Sequence, residues 1–138
     1  MTPHQATAVA IGGRALLIEG PPGSGKSSLA LALIDRGAVL VGDDGVLLER
    51  RGETLHASPA PAIAGKLEVR NLGLLTYPTC ADIPVALIVC LDPAAPRFRD
   101  EPEWLDRAGV RLPGIDLWPD SPVLALRAEL ALRMYGLD

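Results

Sequence analysis

The sequence of 138 residues is poor in aromatic side chains, at 4%, and it contains only two cysteines. It has no block of like charge along the chain, and its 13 basic and 17 acidic residues give a formal net charge of −4. This balance excludes a strongly basic surface that would attract nucleic acid or anionic lipid. No apolar run approaches the ~18 residues of a membrane span, and residues 1–4 lack the pattern of a signal peptide. We therefore expect a cytoplasmic protein that binds neither nucleic acid nor a membrane.

The two cysteines, Cys80 and Cys90, are too far apart for a C-x-x-C pair. In a reducing cytosol they are expected to be free thiols rather than a disulfide or a zinc site. Cys90 lies inside the apolar run of residues 85–91, which predicts that it is buried.

The apolar residues, 49% of the chain, are enough for a packed core. We expect one domain over residues 1–138, since single domains of roughly 100–200 residues are common. Residues 6–11 and 14–19 predict two strands joined at Gly12-Gly13, and residues 26–36 predict a helix that ends before Gly37. A short strand over residues 39–41 and a hairpin over residues 46–57 follow.

The second half of the chain is less regular. Residues 85–91 are typical of a strand in the middle of a sheet. Residues 92–120 are charged and interrupted by proline, and predict a variable surface segment or lid. A closing helix is expected over residues 121–136, with Ser121 as its N-cap and an apolar face of Leu124, Leu126, Leu130 and Met134. The predicted fold class is α/β, with a mixed β-sheet flanked by helices.

A phosphate-binding motif stands between the second predicted strand and the first predicted helix. The motif G-x-x-x-x-G-K-[ST] is met at every fixed position by Gly20, Pro21, Pro22, Gly23, Ser24, Gly25, Lys26 and Ser27. In such a P-loop the glycines let successive N–H groups point at one anion, and the helix N-terminus adds positive charge. The lysine reaches the terminal phosphates, and the serine hydroxyl can hold Mg²⁺. Strand, motif and helix together predict binding of a nucleoside triphosphate.

Several other polar residues are candidates for a catalytic or metal-binding role, and each also has a purely structural interpretation. Asp43 and Asp44 follow the short strand after the P-loop helix, where a carboxylate could face the phosphates or belong to an ordinary acidic turn. Glu68 shares one strand face with Lys66 and Arg70, which could equally be a solvated face.

These segments, in their order, resemble the catalytic domain of HPr kinase/phosphorylase, bacterial enzymes that act on a serine of the phosphocarrier protein HPr. A histidine, His4, precedes the P-loop strand, and the P-loop continues through residues 26–37. Residues 39–46 contain the paired aspartates, and residues 67–75 are similar to the family segment of glutamate, arginine and glycines. The resemblance covers residues 4–91. It implies a P-loop kinase fold and an ATP- and Mg²⁺-dependent protein serine kinase.

The resemblance also implies a role for each catalytic candidate. Asp43 is similar to the residue that takes the proton of the substrate serine, and that activates water or phosphate in the reverse reaction. Lys26 is similar to the catalytic P-loop lysine, and His4 to the active-site histidine. The later catalytic arginine is most similar to Arg97, with Arg99 and Arg107 as alternatives.

The binding residues follow in the same way. The resemblance implies that Mg²⁺ is held by Ser27 and Glu68, with Asp44 supporting the metal or Asp43. ATP would be bound by Gly20, Pro21, Pro22, Gly23, Ser24, Gly25, Lys26, Ser27 and Ser28. The expected partner is an HPr-type phosphocarrier protein, and the family forms hexamers, which predicts a homo-oligomer.

The sequence departs from the family pattern in three places. No counterpart of the separate N-terminal domain precedes the motifs, which leads us to expect a catalytic-domain-only form. Asn71 stands where the family has glycine, and no clear counterpart of the later phosphorylase loop follows residue 91. Phosphorylase activity is therefore left open. The alternatives to the protein kinase are a small-molecule P-loop kinase and a non-catalytic module that senses ATP and ADP.

Overall fold

The computed structural model describes residues 1–138, which form eleven strands and two helices. The strands are β1 (Thr2–His4), β2 (Thr7–Ile11), β3 (Arg14–Glu19), β4 (Val39–Gly42), β5 (Val46–Arg51), β6 (Thr54–Pro59), β7 (Lys66–Val69), β8 (Gly73–Thr76), β9 (Ile83–Leu91), β10 (Glu103–Arg107) and β11 (Val110–Leu117). The helices are α1 (Lys26–Asp35) and α2 (Leu124–Tyr135), and a 3₁₀ turn spans Pro61–Ile63. Neither helix has the length and apolar character needed to cross a membrane.

Nine of the strands form one mixed sheet, in which β9 is central. It pairs in parallel with β3 and β11, and its first residues pair antiparallel with β6. The chain of pairings runs β1-β5-β6-β9-β3-β2-β4, while β7 and β8 form a separate hairpin. This arrangement confirms the predicted α/β class and the central position of residues 85–91, whose apolar run fits a strand covered on both faces.

The core lies on both sides of the sheet because side chains alternate along each strand. On β3, Leu16 and Ile18 face the cluster that contains the buried residues of α1 and α2. Leu17 faces the opposite cluster, formed where the sheet curls and strands β5, β6 and β11 contribute side chains. The β3 strand, and with it the start of the loop at Gly20, is therefore fixed from both faces.

Residues 92–120, predicted as a variable surface segment or lid, contain regular structure that the sequence did not indicate. Strands β10 and β11 form a hairpin there, and Leu112 is fully buried. The turn is Ala108-Gly109, both with positive φ (51° and 83°). A two-residue turn of this kind normally has asparagine, aspartate or glycine at its first position, so Ala108 concealed the hairpin signal.

The closing helix begins later than predicted and turns a different side to the core. Its first residue is Leu124, and the Ser121 hydroxyl accepts a hydrogen bond from the Val123 N–H (3.2 Å) in the preceding turn. The buried residues are Leu124, Ala128, Ala131 and Leu132, whereas Leu126, Leu130 and Met134 are exposed. The two small alanines allow the helix to approach the sheet closely, which sequence hydrophobicity alone did not indicate.

Candidate active site

The P-loop connects the end of β3 directly to α1. The helix begins at Lys26 with no side-chain cap, and Gly23 and Gly25 adopt positive φ values of 78° and 101°. The N–H of Leu29 bonds the Gly25 carbonyl (3.0 Å), so the earlier N–H groups of the helix have no helical acceptor. A loop of this form presents free N–H groups to an anion, as the motif predicted.

The ammonium group of Lys26 lies over the same loop. Its Nζ donates hydrogen bonds to the carbonyl oxygens of Gly20 (2.7 Å) and Pro21 (3.1 Å). The Ser24 Oγ is buried in the loop without a hydrogen-bond partner. The loop therefore combines a cation, free amide groups and an unpaired hydroxyl, which are groups that suit a phosphate chain.

Asp43 lies at the end of β4, beside the first turn of α1. Only 6% of it is exposed, and its carboxylate accepts three hydrogen bonds. Two come to Oδ1, from the hydroxyls of Thr7 (2.9 Å) and Ser27 (2.7 Å), and one comes to Oδ2, from the N–H of Glu68 (3.0 Å). Because β2 and β4 are adjacent and antiparallel, Thr7 is held at this carboxylate. The acidic side chain and the P-loop serine are thus in direct contact.

These groups surround a cavity of about 250 Å³ whose lining contains no hydrophobic residue. The lining is Thr7, Pro22, Gly23, Ser24, Gly25, Lys26, Ser27, Ser28, Asp43, Asp44, Glu68 and Arg70. The structure thus gathers all the candidate metal ligands and most of the candidate ATP-binding residues at one place. Gly20 and Pro21 lie just behind, as acceptors for Lys26.

The β7–β8 hairpin brings Glu68 and Arg70 to this cavity. A Cβ atom added to Gly23 would lie 3.9 Å from the Arg70 Nη2, so the guanidinium group lies against the P-loop. The hairpin turns at Asn71, whose φ is 72°. Asparagine tolerates this left-handed conformation better than other non-glycine residues, which explains how it replaces the glycine of the family pattern.

The sequence interpretation missed two residues that line the cavity, Thr7 and Arg70. Arg70 directly follows β7, the strand that carries Glu68. The structure does not bring the preferred candidate, Arg97, into the cavity. Arg97 is exposed and borders a different cavity, beside α2. Its segment is tied there by hydrogen bonds from the Trp118 Nε1 to the Ala95 carbonyl (2.6 Å) and from the Tyr135 hydroxyl to the Arg99 carbonyl (3.3 Å). The arginine that lines the phosphate cavity is therefore Arg70, and the catalytic role of Arg97 stays a prediction that this placement does not support.

The alternative arginines are also engaged elsewhere. Arg99 pairs with Glu103 (2.7 Å) and Asp116 (3.2 Å), and Arg107 pairs with Glu19. Each guanidinium therefore has an acidic partner, and neither arginine lines the phosphate cavity.

His4 lies next to the P-loop rather than in the cavity lining. Its Nε2 is 2.7 Å from the Glu19 Oε2, and Arg107 donates to both oxygens of the same carboxylate, at 2.6 and 3.0 Å. Burial raises the pKa of Glu19, but the hydrogen bonds from Arg107 and His4 outweigh it and lower the pKa below its ordinary value. Glu19 is the last residue of β3, so this ion-pair network holds the strand from which the P-loop starts.

The two cysteines are free thiols, as expected, and both are partly buried. Burial raises the pKa of the Cys90 thiol to about 11, with a further contribution from the nearby carboxylates of Glu19 and Asp116. Burial also raises the pKa of Cys80. Both thiols therefore remain protonated at neutral pH and are poor nucleophiles.

The site has the donor set that magnesium uses with a phosphate substrate. No three histidine, cysteine, aspartate or glutamate side chains form a ready metal cluster. Mg²⁺ commonly takes one or two carboxylates or hydroxyls, several waters and the phosphate oxygens of its substrate. The Ser27 hydroxyl and the carboxylates of Asp44 and Glu68, which all line the cavity, fit that pattern.

Comparison with known proteins agrees with this geometry. A family model described as the HPr serine kinase C-terminal domain matches residues 2–80. An HPr kinase/phosphorylase of Nitrosomonas europaea is 50% identical over 68 residues, and one of Neisseria meningitidis is 52% identical over 61 residues. These matches cover 49% and 44% of this chain.

The chain spans about a fifth of the length of these curated relatives, with 21% and 19% of each covered. A solved structure described as the Hpr(Ser) kinase/phosphatase from Coxiella burnetii matches over 97% of this chain and 90% of that one. Its TM-score is 0.85 and its sequence identity 27%. Its agreement extends the likeness beyond residue 80, to β9, β11 and α2. The chain therefore belongs to the HPr serine kinase C-terminal domain family.

Proposed function

We propose that the protein is an ATP- and Mg²⁺-dependent protein serine kinase whose substrate is an HPr-type phosphocarrier protein. The observation that carries this proposal is the 2.7 Å hydrogen bond between the Ser27 hydroxyl of the P-loop and the Asp43 carboxylate. This contact puts an acidic side chain from the next strand beside the loop that binds phosphate. A carboxylate at this position can support a bound Mg²⁺ and can accept the proton of a substrate hydroxyl, and a P-loop kinase needs both functions.

The chain's own groups would bind and orient the triphosphate. The N–H groups of the loop and of the first turn of α1 would donate to its oxygens, and Lys26 would exchange its carbonyl partners for phosphate. Arg70, whose guanidinium lies against Gly23 of the loop, would add a second positive charge. When bound through Ser27, with Glu68 and Asp44 nearby, Mg²⁺ neutralises charge on the phosphate oxygens.

Asp43 would position the serine hydroxyl of the carrier and accept its proton as the oxygen attacks the terminal phosphoryl group. The hydrogen bonds from Thr7, Ser27 and Glu68 hold the carboxylate in a fixed orientation, which favours such a positioned base. The rest of the acceleration would come from charge stabilisation by the loop rather than from a covalent intermediate.

The reverse reaction on phosphoserine would use the same carboxylate to activate the attacking water or phosphate. It is a separate proposal, supported by the likeness to the HPr kinase/phosphorylases and to the Hpr(Ser) kinase/phosphatase, and it is tested by release of phosphate from the phosphorylated carrier.

The direct test uses purified HPr-type carrier and γ-labelled ATP with Mg²⁺. Label on a carrier serine supports the kinase, whereas label on a small phosphate acceptor alone would replace the carrier with a small-molecule substrate. Tight ATP binding with no transfer to either acceptor would favour the sensing module.

A further inference from the structure

Two polar or charged side chains of this chain are buried, and they are hydrogen-bonded to each other. Thr7 has no exposed surface and Asp43 is 6% exposed, and the Thr7 hydroxyl lies 2.9 Å from the Asp43 Oδ1. A buried polar group is costly unless a hydrogen bond replaces its hydration. The pair is therefore a specific feature of the fold, and Thr7 belongs to no motif that the sequence displays.

A register shift in the sheet puts the two residues side by side. The antiparallel pairing of β2 with β4 shifts by one residue, as in a β-bulge, and Val41 is the extra residue of β4. After the shift Ala8 pairs with Gly42, so the next pair along the strands is Thr7 and Asp43. Without the shift Gly42 would lie opposite Thr7, and Asp43 would belong to the other face of the sheet. Bulges re-aim side chains in this way beside functional sites.

The hydrogen bonds of Thr7 have a fixed direction. Its Oγ1 is near both the Asp43 Oδ1 and the backbone nitrogen of Asp44, the latter at 3.4 Å. An N–H group can only donate and an ionised carboxylate can only accept. The hydroxyl therefore accepts from Asp44 and gives its single proton to Asp43. One side chain thus holds the carboxylate and the turn that follows it.

The donors around Asp43 leave one acceptor position unused. Each oxygen of an ionised carboxylate can accept about two hydrogen bonds. The hydroxyls of Thr7 and Ser27 fill Oδ1, whereas Oδ2 accepts only the N–H of Glu68. The free position is therefore on Oδ2. The terminal torsion of an aspartate side chain is broad, so the hydrogen bonds decide which oxygen stays free.

We infer that Thr7 is a positioning residue for Asp43, whose hydroxyl holds Oδ1 so that Oδ2 receives the proton of the carrier serine. The inference deepens the proposed function and rests on it. As the serine oxygen bonds to the terminal phosphorus of ATP, its proton passes to Oδ2. The bond from that phosphorus to the bridging oxygen breaks, and ADP leaves with the electron pair. The proton on Oδ2 then passes to water.

The test separates the rate of the chemical step from nucleotide binding. Thr7→Val keeps the branched shape of the side chain and removes its hydroxyl. With purified HPr-type carrier and Mg²⁺, we expect kcat to fall about tenfold or more, because a hydrogen bond to a charged group is lost. The KM for ATP should change by less than about twofold. Thr7→Ser retains the hydroxyl and should restore most of the lost rate.

The matched control is Thr54→Val, which removes a hydroxyl bonded to the Arg51 carbonyl (2.8 Å) in the turn between β5 and β6. Thr54 does not line the phosphate cavity, so kcat and KM should stay at their wild-type values. A wild-type kcat in Thr7→Val, or an equal loss in Thr7→Val and Thr7→Ser, would overturn the inference. If Thr7→Val does not melt cooperatively, Thr7→Ala is compared with Thr7→Ser, since both lack the methyl group and only serine has the hydroxyl. Equal rates for these two variants are equally contradictory.

The amide of Glu68 reports the orientation of Asp43 without any substrate, because its N–H donates to Oδ2. In isotope-labelled protein without nucleotide, Thr7→Val should move the amide resonance of Glu68, and Thr7→Ser should return it toward the wild-type position. An unmoved resonance in Thr7→Val would also overturn the inference. If the wild type transfers no phosphoryl group to the carrier, the proposed function fails, and this resonance still decides the role of Thr7.

Discussion

At the residue scale, the buried carboxylate of Asp43 has the clearest energetic meaning. Removing a carboxylate from water is costly unless hydrogen bonds replace its hydration. Here two hydroxyls and one N–H do so, and each comes from a different segment of the chain: β2, α1 and β7. The residue therefore links three parts of the site, which is more than an acidic turn would need.

We expect Asp43→Asn to reduce phosphoryl transfer to the carrier by about 10²–10⁴-fold, the usual contribution of a positioned base. ATP binding should change little, because the loop amides and Lys26 remain. The matched control is Asp35→Asn, an exposed residue on α1, which should leave transfer unchanged. Undiminished transfer by Asp43→Asn would remove Asp43 from the mechanism.

Substitutions of Arg70 and Arg97 are expected to affect ATP binding differently. Arg70→Ala should weaken ATP binding about tenfold or more, since a charge-assisted hydrogen bond contributes about 1.5–3 kcal/mol. Arg97→Ala should have no such effect, because Arg97 borders another cavity. Titration of both variants with ATP and Mg²⁺ decides between them, and a larger loss for Arg97→Ala would contradict the site described above.

Glu19 gives a prediction for pH. Its pKa is lowered below the ordinary value of 4.5 in the folded chain, so around that pH the unfolded chain binds the proton more readily. Stability from this carboxylate is therefore present above pH 4.5 and is lost as the pH falls through the lower, folded pKa.

We expect the wild type to lose more stability than Glu19→Gln when urea midpoints at pH 7 and below pH 4 are compared. Glu53→Gln, a change at an exposed position, is the control and should follow the wild type. Parallel pH profiles for the wild type and Glu19→Gln would show that the network with Arg107 and His4 contributes nothing.

At the scale of elements, the hairpin of β10 and β11 is the region where interpretation of the sequence and the structure differ most. If residues 103–117 were a lid, truncating a side chain there would hardly affect stability. Because Leu112 is fully buried among strands, Leu112→Ala should lower the free energy of unfolding by about 2–5 kcal/mol. Leu72→Ala, at a residue 71% exposed, is the control for the same substitution. If Leu112→Ala and the wild type had equal midpoints in chemical denaturation, the residues would behave as the predicted surface segment or lid.

The elements that the sequence predicted well have local signals. The turn at Gly12-Gly13, the P-loop and the apolar run of β9 each carry their signal within a few residues. The prediction of the buried face of α2 was wrong. The small side chains of Ala128 and Ala131 let the helix pack closely against the sheet, and this packing depends on both elements rather than on the helix alone.

The site residues, too, were predicted where their signal lies within a short stretch of sequence. Asp43, Ser27 and Glu68 stand in recognisable segments, and they lie together in the structure. Arg70 and Glu19 were missed because their importance comes from contacts across the fold, with Gly23 and with His4 and Arg107. The distance of Arg97 from the cavity depends on where the segment after β9 is tied, which no local pattern encodes.

At the scale of the whole molecule, the two halves of the chain contribute differently. Every residue that lines the phosphate cavity lies within residues 2–80, the part that the family model matches. The later half supplies the central strand β9 and the adjoining strand β11. The first half thus forms the phosphate cavity, and the second half supplies the strands that support it.

The assembly state is a separate expectation at this scale. The family resemblance predicts a homo-oligomer, in the form of a hexamer. Light scattering on the purified chain should give about six times its 14.5 kDa mass. A monomer at all concentrations would contradict this expectation and leave the site unaffected.

We propose that the P-loop and the carboxylate beside it transfer a phosphoryl group from ATP to a serine of a carrier protein. The most direct measurement is mass spectrometry of a purified HPr-type carrier after incubation with this protein, ATP and Mg²⁺. We predict a single added phosphoryl group on a serine, formed much more slowly with Asp43→Asn and with Lys26→Ala. An unmodified carrier, under conditions in which the wild type binds ATP, would contradict the account.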